Sequence, residues 1–129
     1  MSYSRVIPIE FCHCDPAGIV FYPRYAEMVN SMVENFFIDE VDYPFARMMA
    51  AGQGMPTVRL EIDFRKPSRL GDRLEWQLRV EHVGRSSVRF LVNAGDRLEA
   101  RSTVVWMDRD FTPSPWPDHI RQTLEAHHA

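Results

Sequence analysis

The chain has 129 residues, of which 45% are hydrophobic and 26% charged, and its formal net charge at pH 7 is -3. This composition excludes a disordered segment and predicts one globular domain spanning residues 1–129. The slight negative charge argues against a nucleic-acid partner, because no excess of positive charge is available to pair with phosphates. Without a signal peptide or a long apolar run, and with only two closely spaced cysteines, we expect a cytoplasmic protein without a membrane partner.

The first predicted element is a strand followed by a turn-rich loop. Ile7, Ile9 and Phe11 alternate with polar or proline positions, which is typical of a strand. Pro8 cannot donate a ladder hydrogen bond, so this strand is expected to have a free side. Residues 12–18 then predict a loop.

A long helix is predicted next. Pro23 suits a first helical turn, and the apolar residues that follow recur at helical spacing. The apolar stripe is wide, as expected of a helix packed deeply against a sheet. It comprises Tyr22, Tyr25, Ala26, Met28, Val29, Met32, Val33, Phe36 and Phe37. A shorter helix is predicted over residues 45–51, ending at Gly52.

From Thr57 onward, apolar residues recur every second position, which predicts four strands. Their short connections predict an antiparallel meander. Asp118 is predicted to cap a short terminal helix. One helix can cover only one face of the resulting five-stranded sheet, so we expect an oligomer that uses the other face or an edge. The predicted strands are centred on residues 58–64, 74–80, 88–92 and 98–106.

The loop before the long helix carries the strongest chemical signal. The apolar residues 19–21 flank Asp15, which predicts a poorly hydrated carboxylate. Gly18 has no Cβ, so a substrate can approach the backbone there. Free N–H groups near Tyr22, in the first helical turn, can polarise a carbonyl oxygen. On spacing alone, the favoured interpretation is an ordinary Asx-type turn with a glycine hinge.

The run DPAGIVFYPRY, from Asp15 to Tyr25, closely resembles the signature of Asp-dependent 4-hydroxybenzoyl-CoA thioesterases. The element order matches that family up to about Trp106. The resemblance implies an α+β hotdog fold, in which a five-stranded antiparallel sheet wraps around a long central helix. It also implies a hydrolase that converts an aroyl-CoA, with 4-hydroxybenzoyl-CoA as first candidate, to the free acid and coenzyme A.

The resemblance also implies roles for individual residues. Asp15 would be the nucleophile or the general base, and the sequence does not separate these roles. The backbone N–H of Tyr22 would hold the thioester oxygen, and Gly18 would line the same pocket. Phe21 and Tyr25 could stack on an aryl group, or they could simply pack the start of the helix.

The family binds coenzyme A near the turn that contains Arg85, Ser86 and Ser87 in this chain. Arg85 could pair with a phosphate, and a plain hairpin turn with a solvated arginine is an equal alternative. Coenzyme A is part of the substrate, and no cofactor is expected. The resemblance further implies a homo-oligomer, with a tetramer built as a dimer of dimers as the expected form.

Other interpretations remain open. Cys12, His13 and Cys14 suggest a metal site, but continuation of the strand would point the cysteines away from the histidine, so no metal is expected. Short aliphatic acyl-CoA or acyl-carrier-protein substrates are alternatives to an aroyl-CoA. A hydratase or dehydratase is disfavoured because the long helix contains no histidine. A non-catalytic acyl-CoA-binding module is the third possibility.

Overall fold

The computed structural model describes residues 1–128 and contains one five-stranded antiparallel sheet, one long helix and smaller peripheral elements. A turn of 3-10 helix at Phe11–His13 follows the first strand. The helices are α1 (Pro23–Asp39), α2 (Phe45–Ala50) and α3 (Asp118–His127). The strands are β1 (Tyr3–Pro8), β2 (Thr57–Phe64), β3 (Arg73–Val83), β4 (Ser87–Asn93) and β5 (Leu98–Val105), with a small hairpin of β6 (Met107–Asp108) and β7 (Thr112–Pro113).

The order of strands across the sheet is β1-β3-β4-β5-β2. The predicted meander is therefore correct for β3, β4 and β5 but wrong for β2, which pairs with β5 instead of β3. Residues 65–72 link β2 to β3 and are too long for a tight hairpin. The backbone N–H groups of Arg65 and Lys66 both donate to the carbonyl of Arg97, at 2.9 and 3.1 Å, which directs this link across the end of the sheet.

The first strand ends earlier than predicted. β1 is an edge strand, as Pro8 indicated, but it stops at Pro8. Ile9 still enters the core at 2% exposure, whereas Phe11 lies in the 3-10 turn and is 83% exposed. Alternation therefore overestimated the strand, because the backbone leaves the sheet before Phe11. At the other terminus, Pro117 and not Asp118 occupies the N-cap position of α3.

The apolar stripe of α1 packs against the sheet, as its helical spacing predicted. Met32, Phe36 and Phe37 are fully buried, and the ring of Phe36 meets that of Phe90 on β4 edge to face at 5.6 Å. This packing supplies most of the stabilisation of the helix, since isolated helices of this length are marginal in water. No helix within residues 1–128 combines the length and apolarity needed to cross a bilayer.

The inner face of β2 is only partly covered by the helix. Leu60 and Phe64 lie on this side of the strand, and their exposed fractions are 43% and 51%. Val58 lies at a β-bulge between Thr57 and Arg59 and is 57% exposed. The corresponding inward residues of β3, β4 and β5 are buried. One helix therefore covers four strands and leaves an apolar edge strand partly open.

We expect Phe36→Ala to lower the free energy of unfolding by about 3–5 kcal/mol, because it removes a fully buried ring between helix and sheet. Urea denaturation followed by tryptophan fluorescence measures this change. Phe111→Ala is the matched control, since Phe111 is 87% exposed and should change stability little. Equal losses for the two variants would contradict the assignment of Phe36 to the core.

Candidate active site

The loop that carries Asp15 closes on itself through backbone hydrogen bonds. Cys14 and Val20 form an isolated antiparallel bridge. The N–H of Asp15 donates to the carbonyl of Ile19 at 3.0 Å, and the N–H of Phe21 donates to the carbonyl of His13 at 2.9 Å. Residues 13–21 therefore form a hairpin-like loop whose second arm leads directly into α1. This closure ties the loop that carries Asp15 to the amino end of the helix.

The link between β2 and β3 forms hydrogen bonds with the same loop. The N–H of Val20 donates to the carbonyl of Ser68 at 2.9 Å, and the N–H of Leu70 donates to the carbonyl of Gly18 at 3.2 Å. Gly18 has φ +78°, a conformation that glycine adopts without strain. Ser68 is completely buried. The position of Asp15 thus depends on a segment more than fifty residues further along the chain.

Charged side chains also form contacts along this supporting link. The carboxylate of Asp72 accepts the backbone N–H of Arg69 at 2.9 Å and a guanidinium N–H of Arg97 at 3.0 Å. The hydrogen bond from the Arg69 backbone, followed by that from Arg97, holds the pKa of Asp72 below its usual range. Lys66 lies 2.7 Å from the carboxylate of Asp96 and lowers the pKa of that group.

The carboxylate of Asp15 has one engaged and one unengaged oxygen. Oδ1 accepts the backbone N–H of Ala17 at 2.9 Å, which is the Asx-type turn that spacing alone favoured. Within residues 1–128, Oδ2 accepts no hydrogen bond and no cation lies within ion-pair distance. The carboxylate is half-buried, and the side chain of Phe21 is 46% exposed. The expected poor hydration is therefore incomplete in a single chain, because residues 19–21 do not enclose the group.

The amino end of α1 presents an unengaged donor. Tyr22 already has helical dihedral angles, and Pro23 has no N–H to offer. The N–H of Arg24 donates to the carbonyl of Phe21 at 2.9 Å. The backbone N–H of Tyr22 has no acceptor in the part of the chain that the structure describes, as the first positions of a helix generally lack one.

An open cleft of about 270 Å³ lies at this helix end. Tyr25 is only 5% exposed, and its hydroxyl makes no hydrogen bond within residues 1–128. The ring centroids of Tyr22 and Tyr25 lie 6.2 and 5.7 Å from that of Phe64. Sequence reasoning missed the β2 side of this cleft, although Lys66 is the only lysine of the chain. The lining residues are Val20, Tyr22, Tyr25, Phe64, Arg65, Lys66 and Pro67.

The turn predicted to bind coenzyme A lies at the opposite end of the sheet from Asp15. Asp15 lies near the start of β3, and the turn of residues 84–87 follows its end. The 11 residues of β3 separate the two by roughly 30 Å at the usual strand rise. Arg85, Ser86 and Ser87 therefore do not meet Asp15 within one chain.

The carbonyl groups of this turn are occupied by donors from its own chain. Arg121 donates to the carbonyls of Gly84 and Arg85 at 3.2 and 2.9 Å. Trp116 Nε1 donates to the carbonyl of Ser87 at 3.0 Å. The Arg85 side chain is exposed and has no ion-pair partner among the described residues. The turn is thus a well-anchored hairpin with one solvated cation.

The segment that suggested a metal site folds differently from the predicted strand. Because Phe11–His13 is a 3-10 turn, ligand atoms of Glu10, Cys12 and His13 lie within 4.8 Å of one another. His13 Nδ1 accepts the backbone N–H of Glu10 at 2.9 Å, so the ring caps the turn instead of pointing to Asp15.

A five-stranded antiparallel sheet curved around one long helix defines the hotdog class of proteins. The family profile described as the Thioesterase superfamily matches residues 17–97 of the chain. The chain therefore belongs to the thioesterase superfamily, a family of thioester hydrolases. The match begins two residues after Asp15, so it does not itself cover the carboxylate.

Comparison with curated proteins and solved structures agrees with this assignment. Over 91 residues the chain is 28% identical to the chloroplastic acyl-acyl carrier protein thioesterase ATL2 of Arabidopsis thaliana, covering 66% of this chain and 48% of that protein. The chain thus spans about half the length of that curated relative.

Two solved structures share the fold at low sequence identity. A 1,4-dihydroxy-2-naphthoyl-CoA thioesterase from Synechocystis has a TM-score of 0.84 and 17% identity, with 96% of each chain covered. A Staphylococcus aureus protein solved in complex with CoA has a TM-score of 0.91 and 7% identity, covering 99% of this chain and 84% of that one.

We expect Gly18→Ala to destabilise the Asp15 loop, because an added Cβ meets no atom within 4 Å but is strained at φ +78°. The loss should be about 1 kcal/mol or more in the free energy of unfolding. Gly54→Ala is the matched control, since its Cβ also meets no atom and its φ is not positive. Equal thermal unfolding midpoints for the two variants would show that the conformation of Gly18 is not restrictive.

Proposed function

We propose that the protein hydrolyses an aroyl-CoA thioester, with 4-hydroxybenzoyl-CoA as first candidate, to the free acid and coenzyme A. The observation that carries the proposal is the closure of the 13–21 loop directly before α1, in which one oxygen of Asp15 accepts no hydrogen bond within residues 1–128. Superfamily membership supplies the thioester class, and the DPAGIVFYPRY run supports the Asp-dependent type.

Asp15 acts through the oxygen that the Asx turn leaves unengaged. As a nucleophile, this oxygen attacks the thioester carbon and expels the coenzyme A thiolate, and water then hydrolyses the resulting anhydride. As a general base, it takes a proton from a water that attacks the same carbon. Both routes use the same geometry, in which Ala17 fixes one oxygen and leaves the other available.

The amino end of α1 stabilises the negative charge that develops on the thioester oxygen. The N–H of Tyr22 has no acceptor within residues 1–128, and the helix dipole adds partial positive charge there. One preorganised donor of this kind contributes on the order of 10²–10³ in rate. Gly18 leaves room for the substrate beside the loop, because a Cβ there would meet only open space.

Aromatic side chains at the helix end support an aryl acyl group. Tyr25 and Phe64 line one cleft with Tyr22, and offset aromatic contacts favour a ring substrate. The buried Tyr25 hydroxyl lacks a partner within the described residues, so a polar substituent could satisfy it. Phe21 borders the same loop and is exposed enough to contact substrate.

Other substrates are the second candidate. The curated relative is named as an acyl-acyl carrier protein thioesterase, which favours a carrier-bound acyl group as the alternative. Short aliphatic acyl-CoAs would use the same loop but leave the aromatic cleft partly unfilled. A non-catalytic binding module would not need the carboxylate geometry of Asp15, and a dehydratase would need a histidine that α1 does not contain.

A second copy of the chain would complete the site. The exposed edge strand β2 offers unpaired backbone groups and the apolar residues Val58, Leu60 and Phe64. Antiparallel pairing of β2 with its copy places the amino end of one strand beside the carboxyl end of the other. The 84–87 turn of the second copy then lies at the Asp15 end, where its Arg85, Ser86 and Ser87 can reach coenzyme A.

Charge pairing favours one register for this dimer. With Leu60 opposite its own copy, Arg59 lies opposite Glu61 of the second copy, and the pair occurs twice. In a single chain Arg59 and Glu61 pair with each other at 3.1 Å on the outward side of β2. The expected tetramer would combine two such dimers.

We expect Asp15→Asn to retain the fold and lose at least about 100-fold in kcat, because the amide can neither attack nor accept a proton. Thiol release from 4-hydroxybenzoyl, benzoyl, phenylacetyl and short aliphatic CoA thioesters measures this loss. Asp110→Asn, an exposed change in the distant β6–β7 hairpin, is the control. Absence of turnover by the folded native protein would eliminate hydrolysis and favour the binding module.

We expect Leu60→Asp to convert the oligomer to monomer, because a carboxylate would be buried opposite its own copy at the dimer axis. Sedimentation velocity measures the mass, and circular dichroism checks the fold. Val6→Asp is the matched control on the other sheet edge, since Val6 is 46% exposed and Leu60 is 43% exposed. Dissociation by Val6→Asp alone would assign the interface to β1 instead.

A further inference from the structure

We infer that Arg65 and Lys66 bind the phosphate ester of the substrate's pantetheine arm, an inference that rests on the proposed thioester hydrolysis. Both residues line the cleft at the amino end of α1, on the same chain as Asp15. Coenzyme A and the prosthetic group of acyl carrier proteins carry this phosphate in the same place relative to the thioester. The site would therefore serve either source.

The backbone connections of the cleft give the two cations a suitable position. Val20 lines the cleft, and its backbone N–H donates a hydrogen bond to the carbonyl of Ser68, two residues after Lys66. The same Val20 bridges to Cys14, the residue next to Asp15. Lys66 and the reacting carboxylate are thus joined by a short, ordered path, yet neither cation forms an ion pair with Asp15 within residues 1–128. The absence of an ion pair is consistent with a pantetheine arm, which places more than ten bonds between the thioester sulfur and the phosphate.

The cations are fixed at their backbones and available at their charged ends. Both backbone N–H groups donate to the carbonyl of Arg97. Arg65 is 3.8 Å from Glu99, and its side chain is 51% exposed. Lys66 is 2.7 Å from Asp96, with side chains 62% and 66% exposed. Exposed pairs of this kind contribute little to stability, so the anionic phosphate of the arm can displace the carboxylates at little cost.

The cleft is lined by both aromatic and cationic side chains. Tyr22, Tyr25 and Phe64 supply aromatic surface, beside Arg65 and Lys66. Because the rings face the acyl group in the proposed function, the arm uses only the part of the cleft lined by Arg65 and Lys66, where its phosphate oxygens meet a guanidinium and an ammonium. Arg85 of the same chain cannot take this role, since it lies at the far end of β3.

The decisive experiment compares 4-hydroxybenzoyl thioesters of coenzyme A, 4′-phosphopantetheine and pantetheine. We expect Arg65→Ala with Lys66→Ala to lower kcat/KM by about tenfold or more for the first two, mainly through KM, because charge-assisted hydrogen bonds are lost. Hydrolysis of the pantetheine thioester, which has no phosphate, should be unchanged. Arg73→Ala removes an exposed cation at the same sheet end without lining the cleft and serves as the control.

Each other result overturns the inference. An equal loss with the pantetheine thioester would assign the two residues a structural role, and a loss confined to coenzyme A would assign them to the nucleotide. An equal loss in Arg73→Ala would reduce the effect to general charge. The native protein's kcat/KM for the thioester on coenzyme A and on an acyl carrier protein identifies the source of the phosphate, and either source is consistent with the site.

A binding measurement separates this inference from the proposed function. Lys66 is the only lysine, so an N-hydroxysuccinimide ester can acylate only this side chain and the terminal amino group. Peptide mass spectrometry distinguishes the two acylated positions. We expect coenzyme A and 4′-phosphopantetheine to protect Lys66 and pantetheine not to do so. Protection without any thioester turnover would retain the phosphate site and refute hydrolysis. Thioester turnover without protection of Lys66 would refute the phosphate site and retain hydrolysis.

Discussion

The packing of α1 against the sheet is the interaction on which the rest of the structure depends. Met32, Phe36 and Phe37 lose all exposure in this contact, and dense packing of that kind allows few alternative positions for the helix. Because a helix is rigid over its length, burial of its middle also fixes its amino end. Tyr22 is thereby held near Phe64, and the loop that precedes the helix is directed back toward the link between β2 and β3. The core thus fixes the amino end of α1, to which the Asp15 loop is joined.

The candidate site is held together mostly by backbone hydrogen bonds. The hydrogen bonds that close the Asp15 loop and join it to Ser68 involve main-chain atoms, so the candidate functional side chains contribute little to holding the loop in place. One oxygen of Asp15, the N–H of Tyr22 and the hydroxyl of Tyr25 consequently lack partners within residues 1–128. Groups fixed in this way need little reorganisation when a substrate arrives, which is the condition for electrostatic stabilisation of a transition state.

The same helix packing leaves β2 exposed, and this connects stability with the proposed function. The helix packs against the other four strands and reaches only part of β2, so Leu60 and Phe64 retain apolar surface toward solvent. That surface borders the cleft in which Arg65 and Lys66 lie. In the proposed dimer the edge would be paired, and the distant 84–87 turn of the second copy would join the site. A single chain would then supply the chemistry and the nearer cations, and its copy would supply the rest.

The sequence by itself determined most of the elements, because these depend on local patterns, and its resemblance to a known family supplied the catalytic candidate. The period of the long helix, the alternation in four strands and the run from Asp15 to Tyr25 can all be read from neighbouring residues. Only the tertiary structure decided that β2 pairs with β5, that the first strand stops at Pro8, and that Arg85 lies far from Asp15. It also brought Arg65 and Lys66 to the helix end. The physical reason is that contacts between distant segments set the strand order and the cleft walls. The local pattern of a segment does not specify which distant segment it will contact.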